Sequence, residues 1–125
     1  HDSTTGRVVL KLTKKYEAAD VLARQIVTAY LTEAEFDVFA SLPAFPLSKR
    51  RYTVEAREGE FGIDLFEGAL DGLELGEIEL ADDAALRALV APSWAIADVS
   101  EDIRYEGGHL ARLQSADLRG LFPTR

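Results

Sequence analysis

Residues 48–66, SKRRYTVEAREGEFGIDLF, read as two strands folded back on each other, and this hairpin decides the fold. A run rich in β-formers (48–56) and a second (60–66) flank a tight polar turn near Glu58-Gly59. Strand side chains alternate between faces. Lys49, Arg51 and Thr53 therefore share one face, with Arg50, Tyr52 and Val54 on the other. In the second strand Gly62, Asp64 and Phe66 lie together, opposite Phe61, Ile63 and Leu65. Downstream, residues 72–80, GLELGEIEL, end in acid–aliphatic alternation that sets Glu77 beside Glu79. Leu73 and Leu75 have the same parity as these acids, so a cleanly polar face requires a bulge before Gly76. Upstream, residues 7–16, RVVLKLTKKY, form a strand with Lys11, Thr13 and Lys15 on one face.

The other segments fit around these strands. Residues 17–24 read as a loop or short helical turn, and 25–31, QIVTAYL, as a strand. Thr32-Glu33-Ala34-Glu35 is a capping box that starts a helix running to about Leu42, before Pro43. Asp82 caps a second helix to about Val90, before Pro92. Gly107-Gly108 reads as a turn. Strands linked at hairpin length and punctuated by two amphipathic helices predict an antiparallel α+β domain.

Composition narrows the function. A chain of 125 residues suffices for one domain with a real core. Its net charge of −8 gives no global attraction for nucleic acid or an anionic membrane, so an anionic partner requires local clustering of cations. The absence of cysteine excludes disulfides, thiolate catalysis and zinc–thiolate sites. No apolar run approaches the ~20 residues of a membrane span, and no hydrophobic signal core opens the chain, so the expected location is cytoplasmic. The chain does not begin with methionine, which predicts processing or a fragment of a longer product.

Two readings of the charged strand faces compete. Solvated antiparallel sheets carry charges outward, where cross-strand Lys–Glu pairs are ordinary stabilisers. A strongly curved sheet instead gathers Lys11, Lys15, Lys49 and Arg51 with Asp64, Glu77 and Glu79 around a lumen. Phosphate chemistry uses such a lumen: Lys and Arg hold non-bridging oxygens, and paired carboxylates suit Mg²⁺ or Mn²⁺. Trp94, Phe36, Phe39 and Tyr52 read as packing residues, and His109 as an ordinary turn histidine.

The segments VVLKLTKKYE (8–17), TAYLTEAEFDVF (28–39), LSKRRYTV (47–54), GIDLFEGALDGLELGEIEL (62–80), PSW (92–94) and VSEDIRYEGGHLA (99–111) resemble the later two-thirds of a CYTH domain. This is the family of triphosphate tunnel metalloenzymes, and the small bacterial CYTH proteins are the most similar. The resemblance implies an eight-stranded antiparallel β tunnel, or barrel, with amphipathic helices outside. It implies divalent-metal-dependent hydrolysis of inorganic or organic triphosphate, with Mg²⁺ or Mn²⁺ as cofactor and a triphosphate-containing small molecule as partner. Lys11, Lys15, Lys49 and Arg51 correspond to its phosphate-binding cations, and Arg104 to a position near the tunnel end. Glu77 and Glu79 correspond to its metal-binding E-x-E and are the expected catalytic residues. Asp64 matches the acid of the D-x-F strand and is expected at the metal.

The family's first-strand E-x-E-x-K and following R-x-R are absent. The expectation is thus a CYTH-like domain over 1–111 lacking its first strands, with a polar tail over 112–125. Triphosphatase activity is expected to be impaired unless those strands are supplied, and exposed strand edges favour self-association. The alternatives are a non-catalytic polyphosphate- or nucleotide-binding module and an adenylate cyclase-type CYTH protein. Neither nucleic acid nor membrane is expected as a partner.

Overall fold

The computed structural model describes residues 5–16, 19 and 25–122. The chain divides into two compact units, His1–Ala44 and Phe45–Arg125. The class is α+β with antiparallel sheets. Among the described residues the strands form a pair and a three-stranded sheet rather than a closed barrel.

In the first unit β1 (Lys11–Lys15) pairs with β2 (Ile26–Tyr30), Lys11 opposite Tyr30 and Lys15 opposite Ile26. The Thr13 and Thr28 hydroxyls meet at 3.1 Å across the pair. The strand is shorter than the 7–16 expected from sequence. Its ladder closes where the Leu31 N–H donates to the Leu10 carbonyl at 2.9 Å, because the next residue, Thr32, leaves β2 to cap α1 (Glu33–Ala40). Both capping-box bonds form: Glu35 N–H to Thr32 Oγ1 at 3.2 Å and Thr32 N–H to Glu35 Oε1 at 2.9 Å. The helix ends at Ala40 instead of Leu42, with Ser41 as its C-cap. Apart from Ala19, the stretch 17–24 lies outside the described residues.

The second unit holds the hairpin. β3 (Lys49–Ala56) pairs with β4 (Gly59–Phe66), and β4 with β5 (Glu74–Ile78), in the order β3-β4-β5. A two-residue turn links β3 to β4, and Gly59 after it takes a φ of 140°, open to glycine and rarely to other residues. The β4–β5 register runs unbroken from Phe61–Ile78 to Leu65–Glu74. No bulge separates Leu75 from Glu77, so the apolar and acidic residues of this strand share a face.

That register changes how the sheet is divided. The sequence suggests one apolar face and one charged face. The structure instead grades one face along its length. Phe66 and Leu73 enter a buried cluster with Leu70, Leu110 and Leu121, against which Leu75, Tyr105, Leu113 and Leu118 pack. Asp64, two residues before Phe66, begins the polar stretch of that face. On the other face Phe61 meets Trp94 edge to face at 5.2 Å.

Residues 112–122 are not simply a polar tail, because Leu121 is buried and Leu113 and Leu118 pack against the core. Ser115–Leu121 form a 3-10 segment, Leu121 is 4% exposed, and the Tyr105 hydroxyl donates to its carbonyl. Apolar residues at 113, 118 and 121 bring this segment back to the cluster even though its other residues are mostly polar. The second helix, α2 (Asp83–Ala88), is capped by Asp82, whose Oδ1 accepts from the Ala84 N–H at 2.9 Å. Gly107 and Gly108, expected as a turn, open the short helix α3 (Gly107–Leu110). Among the described residues no helix is long and apolar enough to cross a membrane.

Because Leu121 is buried among leucines, Leu121→Ala is expected to cost about 2–4 kcal/mol of stability in denaturant unfolding. A loss below about 0.5 kcal/mol, the size of an ordinary surface change, would place the segment outside the core.

Candidate functional site

The β3–β4 register sets Arg51 directly opposite Asp64 and Lys49 two pairs further along, opposite Phe66. All three charged side chains converge. Lys49 Nζ donates to Asp64 Oδ2 at 2.6 Å, Arg51 Nε to Oδ1 at 2.6 Å, and Arg51 Nη2 to Oδ2 at 2.8 Å. Lys49 Nζ also lies 5.6 Å from the centre of the Phe66 ring. Asp64 is 1% exposed, whereas the Lys49 and Arg51 side chains are 36% and 50% exposed. A buried acid thus fixes two cations at the surface.

The electrostatics follow from this geometry. Burial pushes the Asp64 pKa up, but hydrogen bonds from Arg51 and then Lys49 outweigh it and hold the carboxyl below its ordinary value. The Arg51 guanidinium is raised above its ordinary value, chiefly by its hydrogen bonds to Asp64. Asp64 and Arg51 are therefore both charged across the physiological range.

Arg51 reaches a third strand because of a glycine. Gly62 on β4 stands opposite Glu77 on β5. A Cβ at Gly62 would lie 3.3 Å from Arg51 Cδ and Nε, so the bare backbone gives the guanidinium its path across β4. Beyond it, Arg51 Nη2 donates to Glu77 Oε2 at 3.1 Å, and the Glu77 side chain is 59% exposed. The sequence reading passed over Gly62. Its signal is a glycine inside a strand pattern, which marks close approach to the backbone.

The other expected site residues fall elsewhere. Glu79 lies past the end of β5 and does not stand beside Glu77 on the strand. Continuing the β4–β5 register by one residue would set Glu79 opposite Glu60. Lys11 and Lys15 lie on β1 in the first unit. Arg104 is engaged by Asp102, with Nη2 to Oδ2 at 2.6 Å and Nε at 3.0 Å from Oδ1. Arg50 points away from Asp64 and donates to Glu67 at 3.3 Å, as its opposite parity requires. Among the described residues no three His, Asp or Glu side chains gather as a metal site.

Comparison with known proteins finds similarity to an inorganic triphosphatase. The chain is 36% identical over 66 residues to the inorganic triphosphatase of Nitrosomonas europaea, a match covering 52% of this chain and 44% of that protein. The chain therefore spans about half the length of the curated relative it matches. The crystal structure of the inorganic triphosphatase NE1496 superposes with a TM-score of 0.53 and 29% identity, covering 70% of this chain and 59% of that one. A second crystal structure, of the hypothetical protein NE1496, gives 0.55 and 28% over 72% and 62%. No family model matches the chain.

The depressed Asp64 pKa sets a pH dependence. Ionised Asp64 contributes its full stabilisation above the ordinary carboxylate pKa of about 4, and this is lost as pH falls through the lower folded value. The stability gap between wild type and Asp64→Asn should stay constant from about pH 7 to pH 5 and shrink below about pH 4. Urea unfolding across that range measures it, and a gap independent of pH would mean that Asp64 is not ionised in the fold.

Proposed function

We propose that this protein binds the phosphate chain of a triphosphate-containing small molecule and takes part in its hydrolysis. The observation that carries this reading is the Lys49–Arg51 pair, held outward by a buried carboxylate. The similarity to an inorganic triphosphatase over half the chain supports it.

Lys49 uses one donor on Asp64 and has others for a phosphate oxygen. Asp64 takes Nε and one hydrogen of Nη2, which leaves the outer edge of Arg51, where Glu77 makes its single bond to Nη2, as the side for a second oxygen. Asp64 is a positioning residue in this account: both its oxygens are taken by cations, so it does not serve a metal. Cations already held in place lower the barrier to phosphoryl transfer by neutralising charge on the non-bridging oxygens without reorganising during the reaction.

A divalent cation, Mg²⁺ or Mn²⁺, belongs to the same proposal through Glu77 and Glu79. These two acids do not make a site by themselves, since Glu77 is shared with Arg51 and Glu79 lies off the strand. The closed tunnel is likewise part of the proposal, needing eight strands where five are described. Arg104 is proposed as a local structural residue, tied to Asp102. A second reading, a polyphosphate-binding module without turnover, is favoured by the engagement of Asp64 and Glu77 with Arg51. Phosphate release from triphosphate with Mg²⁺ or Mn²⁺, measured beside a binding titration, separates the two.

Lys49→Ala and Arg51→Ala should each weaken triphosphate binding, more at low salt than at high, because salt screens partly exposed charges. Arg50→Ala, on the other face, should change it little. Equal losses from Arg50 and Arg51 would remove the Asp64 clasp from the account. Glu77→Gln and Glu79→Gln should weaken Mn²⁺ binding with the fold intact, and unchanged affinity in both would remove the metal from the proposal.

A further inference from the structure

Arg51 has two carboxylate partners that differ in kind. Asp64 is buried, bound through two arginine nitrogens at 2.6 and 2.8 Å, and shared with Lys49. Glu77 is largely exposed and makes a single bond at 3.1 Å to a nitrogen that Asp64 already engages. Releasing Asp64 would strand a charge in the interior, which is strongly unfavourable. Releasing Glu77 returns an exposed carboxylate to water, and such exposed pairs contribute little. Gly62 leaves the space over β4 through which Arg51 reaches Glu77, so the outer guanidinium edge is the side on which an incoming anion would also lie.

We infer that Glu77 is the exchangeable anion of this site. With no ligand bound, its carboxylate occupies the outer edge of Arg51, and a phosphate oxygen takes its place, while Asp64 holds the guanidinium fixed through the exchange. Glu77 is thus a specificity-determining residue, because an anion must outcompete a built-in carboxylate to reach Arg51. The inference rests on the proposed phosphate-binding role of Lys49 and Arg51. It adds a sign: with divalent cations chelated, removing this acid strengthens anion binding.

The test is titration of inorganic triphosphate, by calorimetry in EDTA, into wild type, Glu77→Gln and Glu60→Gln. Glu60→Gln removes the same charge from the same sheet face, two residues from Gly62, without touching Arg51. Glu77→Gln should bind roughly two- to fivefold tighter, the size of an exposed ion pair, and Glu60→Gln should gain less. The same Glu77 change is then made in Arg51→Gln and Arg51→Lys backgrounds, where the gain should vanish because the contact is gone. Arg51→Lys keeps a cation on Asp64 in case Arg51→Gln fails to fold. Triphosphate binding that Glu77→Gln leaves unchanged or weakens overturns the inference alone. So does a gain that persists without Arg51 or is matched by Glu60→Gln. No binding in any variant overturns the phosphate-binding reading, and this inference with it.

Discussion

A carboxylate that is 1% exposed is tolerated only if its charge is answered at once, and the second unit is organised around that requirement at Asp64. Arg51 donates to both Asp64 oxygens and Lys49 adds a second bond to Oδ2, where little water can help. Their spacing of two residues on β3 and the β3–β4 register deliver them together. Asp64 lies along the sheet face from Phe66, which anchors the leucine cluster. The same strand therefore supplies the dry end that fixes the backbone and the charged end that faces outward.

This arrangement reconciles an acidic chain with an anionic ligand. The net charge is −8, so long-range attraction for phosphate is absent and any affinity must be local. Two cations and two carboxylates balance within the cluster, but the two acids are not equivalent. One is committed to holding the cations and the other rests on their outer edge. Asp64 holds both cations by hydrogen bonds, which lowers the cost of organising them for the proposed binding.

The hairpin, the capping box and the Asp82 cap were all legible in the sequence, because each rests on local rules of turn chemistry and side chain-to-backbone bonding. The pairing of Lys49 and Arg51 on one face, with Arg50 on the other, followed from strand alternation alone. Three features depended on tertiary context. The burial of Asp64 was not legible because parity shows which face a side chain takes, not whether that face is wet. The end of β5, one residue before Glu79, is likewise unmarked in the sequence, because the alternation runs on through Leu80. The segment beyond residue 111 seemed a tail because its leucines are spaced among polar residues, and only its folding back onto Phe66, Leu70 and Leu73 explains them.

The central claim is that Asp64 holds Arg51 ready and that a triphosphate engages it there. The side-chain Nε–Hε resonances of Arg51 and Arg50 in ¹⁵N-labelled protein test this most directly. Before ligand, the Arg51 Hε should be protected from solvent exchange by its bond to Asp64. On adding triphosphate it should remain protected while its shift moves in step with binding, and the Arg50 resonance should stay in place. Saturable triphosphate binding that leaves the Arg51 resonance unmoved, or an Arg51 Hε that exchanges as freely as that of Arg50, would contradict the account.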